Sequence, residues 1–303
     1  MKHIIFILHG KIRHRKELRK RLSGCLPSGV EATFQETHYA AHATEIAAKS
    51  VQDGATYVIA VGGDGLLNEV INGYMCASDY QRYVCAVGIY PMGTGNDFCK
   101  TVGIRPDTVQ LQQLLERHSV KPVDCCYARF IGLHGTSTKR YFINIGDIGI
   151  GGAVSQRVNQ SRKLLGAKLS YMKAIVRTFL DYRHRHVSIT ADNFLWEGPV
   201  LLVVTANGRY FGSGLCIAPQ AQPDDGRMQV VILGNVSLLD YLRHQGAVRR
   251  CQIICHPEVH YLSSAFCRIE TREECTIDID GEFAGYGPME VQIMPQAVNF
   301  LRP

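Results

Sequence analysis

The sequence predicts an α/β N-terminal domain built on a doubly wound parallel sheet, followed by a mainly antiparallel β-sandwich C-terminal domain. Three observations predict this fold class. The chain has 303 residues, which is too long for one small hydrophobic core. Strand-like and helix-like segments alternate in the first part, and short strand-like segments dominate after Val123. We therefore expect domains at residues 1–123 and 124–303, with the last few residues free to return to the first domain.

The elements of the first domain follow from apolar runs separated by helical periodicity. The run at 4–8 is continuous, as expected of a strand buried on both faces of a parallel sheet. A basic helical stretch follows it. The further predicted elements are strands at 30–34, 57–61 and 84–90, and helices at 40–52, 66–74 and 109–117.

The second domain is predicted from many short strands that glycine, proline, asparagine and aspartate separate. The predicted strands are 126–130, 139–145, 187–191, 200–205, 228–233, 258–263, 267–270, 275–280 and 291–294. One long helix, 161–182, interrupts the series, and 297–301 is a last strand of either domain.

Composition and targeting signals favour a cytoplasmic protein. Hydrophobic residues make up 46% of the chain and charged residues 20%, as in soluble globular proteins. The opening segment is interpreted as a buried strand rather than a signal peptide, and no apolar run is long enough to cross a bilayer. There are 11 cysteines but no Cys-x-x-Cys pair, so we expect reduced, free thiols, including Cys85, Cys216 and Cys255.

The net charge of +6 is concentrated in basic clusters. One lies at 11–21, and a second runs from Lys163 to the Arg183-His184-Arg185-His186 segment. Such clusters attract nucleotide phosphates or anionic lipid, and the alternative is a solvated helix face. No nucleic-acid-binding motif accompanies them, so we expect no nucleic-acid partner.

The first segment with chemical meaning is Gly62-Gly63-Asp64-Gly65, between a predicted strand and a predicted helix. This position puts Asp64 at the carboxyl end of a parallel strand, where open α/β sheets bind ligands. The glycines allow backbone to approach a ligand closely, and the helix start offers N–H groups to phosphate. The alternative is a tight turn that is merely glycine-rich.

A second glycine-rich turn, Pro91-Met92-Gly93-Thr94-Gly95-Asn96-Asp97, follows the next predicted strand of the sheet. It lacks the Gly-Lys-Ser/Thr ending of a Walker loop. Alone it is also consistent with an ordinary loop. Two such turns at the ends of two strands would face one crevice, which makes the pair more specific than either turn.

These segments carry a family resemblance. The stretch 62–73, GGDGLLNEVING, resembles the signature of the diacylglycerol kinase and sphingosine kinase superfamily, and 91–98, PMGTGNDF, resembles its second signature. Asn207 with 212–219, Asp225-Gly226 and Asp280-Gly281-Glu282 fit the pattern as well. The resemblance covers nearly the whole chain and is closest to bacterial soluble lipid kinases. It implies ATP- and magnesium-dependent phosphorylation of a hydroxyl of diacylglycerol or a related membrane lipid, in the cleft between two domains.

The resemblance also implies roles by position. Asp64 would act as base or organise magnesium, and Asp280 and Glu282 would complete the catalytic carboxylates. Which carboxylate is the base stays open. The implied nucleotide-binding residues are Gly62, Gly63, Gly65, Gly93, Thr94, Gly95, Asn96 and Lys11. A separate structural magnesium would be held by Asp225 with backbone carbonyls of Gln222 and Arg227; the alternative there is a plain β-turn.

Two positions depart from the family pattern. Leu66 stands where many relatives carry threonine, although sphingosine-kinase-like relatives carry leucine there. His9-Gly10-Lys11 replaces the usual Asn-Pro and glycine-rich turn after the first strand. Lys11 can still meet a phosphate, but the contact from the usual asparagine is missing, so altered nucleotide binding stays open.

The predicted helix 161–182 interleaves apolar residues with Lys163, Lys168, Lys173 and Arg177. It suits transient contact with an anionic inner-membrane surface, and packing against the sandwich core explains the same stripe. Two other functions stay open: an NAD kinase, which shares the Gly-Gly-Asp-Gly turn, and an inactive nucleotide- or lipid-binding relative. The lipid and the oligomeric state, including a homodimer, are not determined by the sequence.

Overall fold

A computed structural model describes residues 2–160 and 167–303 of the chain. The chain divides into two compact units. The first comprises Met1–Cys125 together with Gln296–Pro303, and the second comprises Cys126–Pro295.

The first unit is an α/β unit. Its strands are β1 (Lys2–Leu8), β2 (Val30–Glu36), β3 (Tyr57–Gly62) and β4 (Ala86–Pro91), and its helices are α1 (Arg15–Gly24), α2 (His42–Gln52), α3 (Asp64–Met75), α4 (Asp79–Val84), α5 (Asp97–Val102) and α6 (Thr108–Glu116). The strands form a parallel sheet in the order β2-β1-β3-β4, and Phe300, near the end of the chain, pairs with Val87 of β4.

The sheet is buried on both faces, which explains its continuous apolar runs. Alternate residues of a strand point to opposite faces. Ile4, Phe6 and Leu8 of β1 pack in one core with the apolar faces of α1 and α6. Helices α2 and α3 contact β1 and β3 as well as one another. The doubly wound parallel sheet is thus confirmed.

The strand order creates a binding crevice. The chain passes from β1 out to β2 and then returns to β3 on the other side of β1. The loops that follow β1 and β3 therefore leave the sheet in opposite directions, and ligands bind at such switch points in open α/β sheets. The His9-Gly10-Lys11 and Gly62-Gly63 turns both lie at this end of the sheet.

The second unit contains mostly antiparallel strands. They are β5 (Val120–Gly132), β6 (Ser137–Phe142), β7 (Ile145–Gly149), β8 (Arg185–Ala191), β9 (Phe194–Val200), β10 (Leu202–Ala206), β11 (Tyr210–Phe211), β12 (Leu215–Cys216), β13 (Met228–Leu233), β14 (Val259–Ser264), β15 (Phe266–Thr271), β16 (Thr276–Ile279) and β17 (Glu282–Leu301). Strands β5 and β17 extend beyond the bounds of this unit.

The antiparallel pairs run in two series. One is β14-β13-β10-β7-β16-β17, and the other joins β17 to β15, β8 and β9. Their inward side chains form a core that includes Phe142, Val203, Ile269 and Val291. The predicted antiparallel, sandwich-like class is confirmed.

Three helices accompany these strands: α7 (Ile150–Gln160), α8 (Ala167–Asp181) and α9 (Leu238–Arg249). The predicted helix 161–182 corresponds to α8 from residue 167 onward, and its first part, with Lys163, lies outside the described residues. The side chains of Lys168 and Lys173 lie outside them too. Helices α4, α5, α7 and α9 and strands β7, β9, β11 and β12 were not predicted. No helix in the described ranges is long and apolar enough to span a membrane.

One expectation about the cysteines is wrong. Cys216 of β12 is joined to Cys251, just after α9, by a disulfide with a Cα–Cα distance of 4.9 Å. The residues are 35 positions apart, and this spacing does not indicate that they are close in the fold. Cys85 and Cys255 are free thiols, as expected.

Candidate functional site

The two glycine-rich turns of the first unit touch backbone to backbone. A Cβ atom added to Gly93 would lie 2.4 Å from Gly63 Cα, and the Met92 N–H donates to the Gly62 carbonyl at 2.7 Å. No side chain larger than hydrogen fits at Gly93 without moving a backbone. The pairing of β3 with β4 brings these turns together, as expected for strands that end at the same edge of a sheet.

Asp64 links the two turns through its carboxylate. It is the first residue of α3, and its Oδ2 and Oδ1 atoms accept hydrogen bonds from the Asp97 N–H (3.1 Å) and the Phe98 N–H (3.2 Å). Asn96, which precedes α5, has a φ of 49° and provides no side-chain cap of its own. Asp64 therefore caps α5 from a different helix, satisfying donors that a helix start leaves unpaired.

The environment of the Asp64 carboxyl favours its protonated form more than water does. Burial raises the pKa of this carboxyl above its ordinary value, and the nearby Asp97 carboxylate raises it further. The two backbone N–H donors and Lys100 oppose this rise in pKa. Lys100 is bound mainly by Asp97, at 2.6 Å. A carboxylate with a raised pKa is a better general base near neutral pH.

The residues between these anchors shape the second turn. The Asn96 amide binds Gly93 in both directions: its Oδ1 accepts the Gly93 N–H at 3.0 Å, and its Nδ2 donates to the Gly93 carbonyl at 2.9 Å. Thr94, at the tip, is exposed. A Cβ atom on Gly95 would lie 3.1 Å from Asp64 Oδ2. The structure thus gives Asn96 a role in loop shape and leaves Thr94 accessible.

A second carboxylate of the same helix works in the same way. Glu69 of α3 accepts hydrogen bonds from the Ala41 N–H (3.1 Å) and the Ala43 N–H (3.0 Å). Ala41 has a φ of 64° and, as an alanine, cannot cap α2 itself. Sequence reasoning did not assign Glu69 this role. Because its partners are distant in sequence, no local pattern announced it.

The turn after β1 is held in a defined shape. A Cβ atom on Gly10 would lie 2.1 Å from the Thr37 carbonyl oxygen, so the position requires glycine. His9 Nδ1 accepts the Lys11 N–H at 3.2 Å, which leaves Nε2 as the protonated nitrogen of the neutral ring. Burial lowers the pKa of His9, Lys11 lowers it further, and Glu69 opposes the change. Lys11 itself is exposed.

In the second unit, Asp280 and Glu282 have different surroundings. Asp280 is buried, and its carboxylate accepts from the backbone N–H groups of Ile143 (3.4 Å), Asn144 (3.3 Å) and Ile145 (2.9 Å). Glu282 is about half exposed and pairs with Arg140 at 2.7 Å. Of these two carboxylates, Glu282 is the accessible one, whereas Asp280 anchors the start of β7.

A pair of buried carboxylates that the sequence did not indicate lies nearby in the same unit. Asp147 of β7 and Asp278 of β16 are directly opposite in the antiparallel ladder, and both are almost fully buried. Burial raises the pKa of Asp147, with Asp278 as the second cause, and burial raises the pKa of Asp278 to about 6. Two such neighbours share protons as a pair rather than titrating independently.

The Asp-Gly turn of the second unit is well formed. Asp225 Oδ1 accepts the Arg227 N–H at 3.0 Å, and Gly226 has a φ of 73°. Gln222, Asp225 and Arg227 are all exposed, and the Arg227 guanidinium pairs with Asp192 at 2.8 Å. Within residues 2–160 and 167–303, no cluster of three or more His, Cys, Asp or Glu side chains is arranged to hold a metal ion.

The second unit also contains an apolar cavity of about 100 Å³. Ile175 and Phe179 of α8 form part of its wall, and Tyr241 and Val248 of α9 form another part. Ile217, beside β12, also lines it. Its mostly hydrocarbon wall suits an apolar ligand.

Comparison with known proteins shows which family the chain belongs to. Residues 3–128 match the diacylglycerol kinase catalytic domain, and residues 145–302 match the YegS C-terminal NAD kinase beta sandwich-like domain. The chain therefore belongs to the diacylglycerol-kinase-like family of lipid kinases. The predicted resemblance is confirmed.

Individual relatives agree with this assignment. The diacylglycerol kinase of Bacillus subtilis (strain 168) is 25% identical over 295 residues, which cover 97% of this chain and 93% of that protein. A crystal structure described as a diacylglycerol kinase from Bacillus anthracis str. Sterne superposes with a TM-score of 0.71 at 20% identity. That superposition covers 100% of this chain and 97% of the other, and it shows the shared fold.

Proposed function

We propose that this protein is an ATP-dependent kinase that transfers a phosphoryl group to a hydroxyl of diacylglycerol or a related membrane lipid. The observation that carries the proposal is the Asp64 carboxylate, which lies where two glycine turns meet and is held by the Asp97 and Phe98 N–H groups. Phosphoryl transfer depends on positioning and on a group that receives the hydroxyl proton. Asp64 supplies the second requirement, and the turns supply the first.

The first unit offers its backbone to the nucleotide. Gly63, Gly65, Gly93 and Gly95 are partly exposed and present backbone where a side chain would otherwise stand. Gly62 is buried against Leu66 and contributes to the shape of the turn. Gly63 caps α3 without a side chain, so the first N–H groups of that helix face outward from the turn. Thr94 adds an accessible hydroxyl, and Asn96 keeps the turn in shape.

The turn after β1 completes the proposed nucleotide contacts. Lys11 is an exposed cation at the switch point of the sheet, where it can neutralise phosphate charge. The family departures at this turn and at Leu66 change which atoms contact the nucleotide. They leave the Gly63–Gly93 backbone contact in place, because it depends on glycine alone.

The donor set fits magnesium. Mg²⁺ is usually held by one or two carboxylates together with substrate phosphates and water, so a protein cluster of three ligands is not required. Asp64 is half-buried and keeps lone pairs beyond those that accept the two N–H groups. When bound, the ion would neutralise charge on the transferred phosphoryl group.

The second unit contributes carboxylates and the lipid-binding surface in this proposal. The family pattern assigns Asp280 and Glu282 to catalysis. The structure supports unequal roles: Glu282 is accessible to a ligand, whereas Asp280 holds the backbone at Asn144 and Ile145. The apolar cavity is proposed to take an acyl chain, since its wall is largely hydrocarbon.

We keep the Asp225 turn as a proposed structural magnesium site with the carbonyls of Gln222 and Arg227. Asp225 already accepts the Arg227 N–H, which is the geometry of an ordinary turn and also orients the carboxylate.

The test is a kinase assay with labelled ATP, magnesium and a total lipid extract, with mass spectrometry of the product. We expect a labelled phospholipid from the unmodified chain and none from Asp64→Asn. The rate should fall as the pH drops through the raised pKa of Asp64, because only the deprotonated carboxylate accepts a proton. Asp53→Asn, an exposed aspartate after α2, is the matched control.

Two outcomes would overturn the proposal. If no lipid is labelled but NADP forms from NAD, the protein is an NAD kinase. If calorimetry detects ATP binding but no substrate is phosphorylated, the chain is a binding protein without turnover. Full activity of Asp64→Asn would contradict the role given to that carboxylate.

A further inference from the structure

Helix α9 has two contrasting faces. Tyr241, His244 and Val248 line the apolar cavity. At 100° per residue, Leu239, Leu242 and Arg243 point roughly the opposite way. Leu239 is 73% exposed and Leu242 is 51% exposed, so two large apolar side chains face outward from one helix. The helix therefore separates an apolar interior from an apolar outer face.

Basic residues surround the exposed leucines. The α9 outer surface consists of Leu239, Leu242, Arg243, Arg249, Arg250 and Ile253. Its arginines are exposed, and Ile253 is 48% exposed. Between residues 238 and 255 there are three arginines and one acidic residue, Asp240. Ser237 donates a hydrogen bond to that aspartate, and His256 lies within ion-pair distance of it. The side chain of Arg243 is 76% exposed.

The neighbouring helix continues the same character. Phe179 of α8 packs on Tyr241 of α9 with ring centroids 5.2 Å apart. Next to Phe179 in the sequence, Leu180 is 72% exposed. Val176, one turn earlier on α8, is 38% exposed. Apolar side chains on the outside of both helices accompany the contact that closes this part of the cavity wall.

We propose that the α9 outer surface docks on the headgroup layer of an anionic phospholipid bilayer. Leucines beside arginines are the composition of interfacial helices, since the apolar side chains enter the acyl boundary and the cations meet lipid phosphates. A second protein would satisfy the leucines, but a net positive rim beside an apolar cavity matches a bilayer in both charge and chemistry. This inference rests on the proposed function, because it supplies the surface from which a lipid enters the cavity.

The experiment measures binding of the full chain to sedimenting vesicles, without ATP. Vesicles of phosphatidylcholine with phosphatidylserine are compared with vesicles of phosphatidylcholine alone. The variants are Leu239→Ser with Leu242→Ser, and Arg243→Gln with Arg249→Gln. Leu195→Ser is the matched control, because Leu195 is 76% exposed on β9 instead of on α9.

We expect tight binding only to the anionic vesicles, weakened by about tenfold in each double variant and unchanged in the control. Added salt should weaken the unmodified chain and affect the arginine variant less. Circular dichroism and thermal melting establish that the variants are folded.

Unchanged vesicle binding by both double variants would overturn the inference. A second contrary outcome concerns the leucine variant. If size-exclusion chromatography shows that it has lost a dimer while its vesicle binding is unchanged, the surface joins two copies of the chain. Failure of the kinase proposal gives a different result: the unmodified chain would bind anionic vesicles but would not phosphorylate a short-chain lipid dissolved in water.

Discussion

At the residue scale, several carboxylates in the family motifs accept hydrogen bonds from backbone N–H groups. Asp64, Glu69 and Asp280 each accept N–H groups from a segment distant in sequence. The helices that Asp64 and Glu69 cap begin after Asn96 and Ala41, both in left-handed conformation and neither capping its own helix. The motif acids thus fix the loops that surround the site. A substitution at one of them changes loop geometry as well as charge.

The Asp147–Asp278 pair gives a stability prediction. In the unfolded chain each carboxyl has a pKa near 3.8, whereas in the folded protein both pKa values are raised. As the pH rises above about 4, the unfolded chain releases protons that the folded pair retains, so the free energy of unfolding falls until the folded carboxyls ionise, which for Asp278 is at about pH 6. The pair therefore destabilises the protein at neutral pH.

Asp147→Asn should raise the free energy of unfolding at pH 7 by about 1–3 kcal/mol, because it removes one buried ionisable group and can donate to Asp278. The pH dependence between 4 and 7 should also become shallower. Urea denaturation at several pH values measures both effects. Asp224→Asn, an exposed aspartate, is the control. A less stable variant with an unchanged pH slope would contradict this account.

At the element scale, α9 depends on both ends for its position. Ser237 and Asp240 form a capping box at its start, with the Asp240 N–H donating to Ser237 Oγ at 3.2 Å. After its end, the disulfide joins Cys251 to Cys216 of β12. Since Val248 of α9 and Leu215 of β12 both line the cavity, the disulfide ties two parts of one wall.

Breaking that disulfide should destabilise the second unit. Cross-linking residues 35 positions apart restricts the unfolded chain, which corresponds to about 2–4 kcal/mol of stability. We expect Cys251→Ser to lower the melting temperature under oxidising conditions and to abolish the effect of reductant on it. Thiol titration of the denatured, unreduced chain should find nine free thiols, against 11 after reduction. Eleven before reduction would contradict the pairing.

The elements differ in how far the sequence reveals them. The β3–turn–α3 segment was predictable because a continuous apolar strand, a glycine turn and a helical stripe follow one another. Helix α9 was missed because its outer face is apolar too, so no clear apolar-to-polar alternation marks it. Its capping box was a readable start signal.

At the scale of the whole molecule, fold class and family could be predicted, because alternation of elements and ordered motifs are properties of the sequence itself. Pairings between distant segments could not. The Asp147–Asp278 pair depends on the register of β7 against β16, and the disulfide depends on how α9 returns to β12. Local periodicity predicts neither the register of these strands nor the path of the chain from α9 to β12.

The two units carry different parts of the proposed reaction, and substitutions can separate them. Nucleotide and phosphate contacts are assigned to the first unit, so Asp64→Asn should reduce transfer to every lipid alike. The acyl cavity is assigned to the second unit, so a change in its wall should depend on the lipid chain. Val248 lines that cavity and is 6% exposed.

Val248→Phe should therefore reduce kcat/KM for long-chain diacylglycerol about tenfold more than for a short-chain analogue, because the larger ring fills space that only the long chain needs. The measurement compares kcat/KM for both lipids in detergent micelles, with melting temperature checked for each protein. Val109→Phe, 59% exposed on α6, is the control and should leave the ratio unchanged. Equal loss for both lipids would mean that the cavity does not receive the acyl chain, while the role of Asp64 would stand.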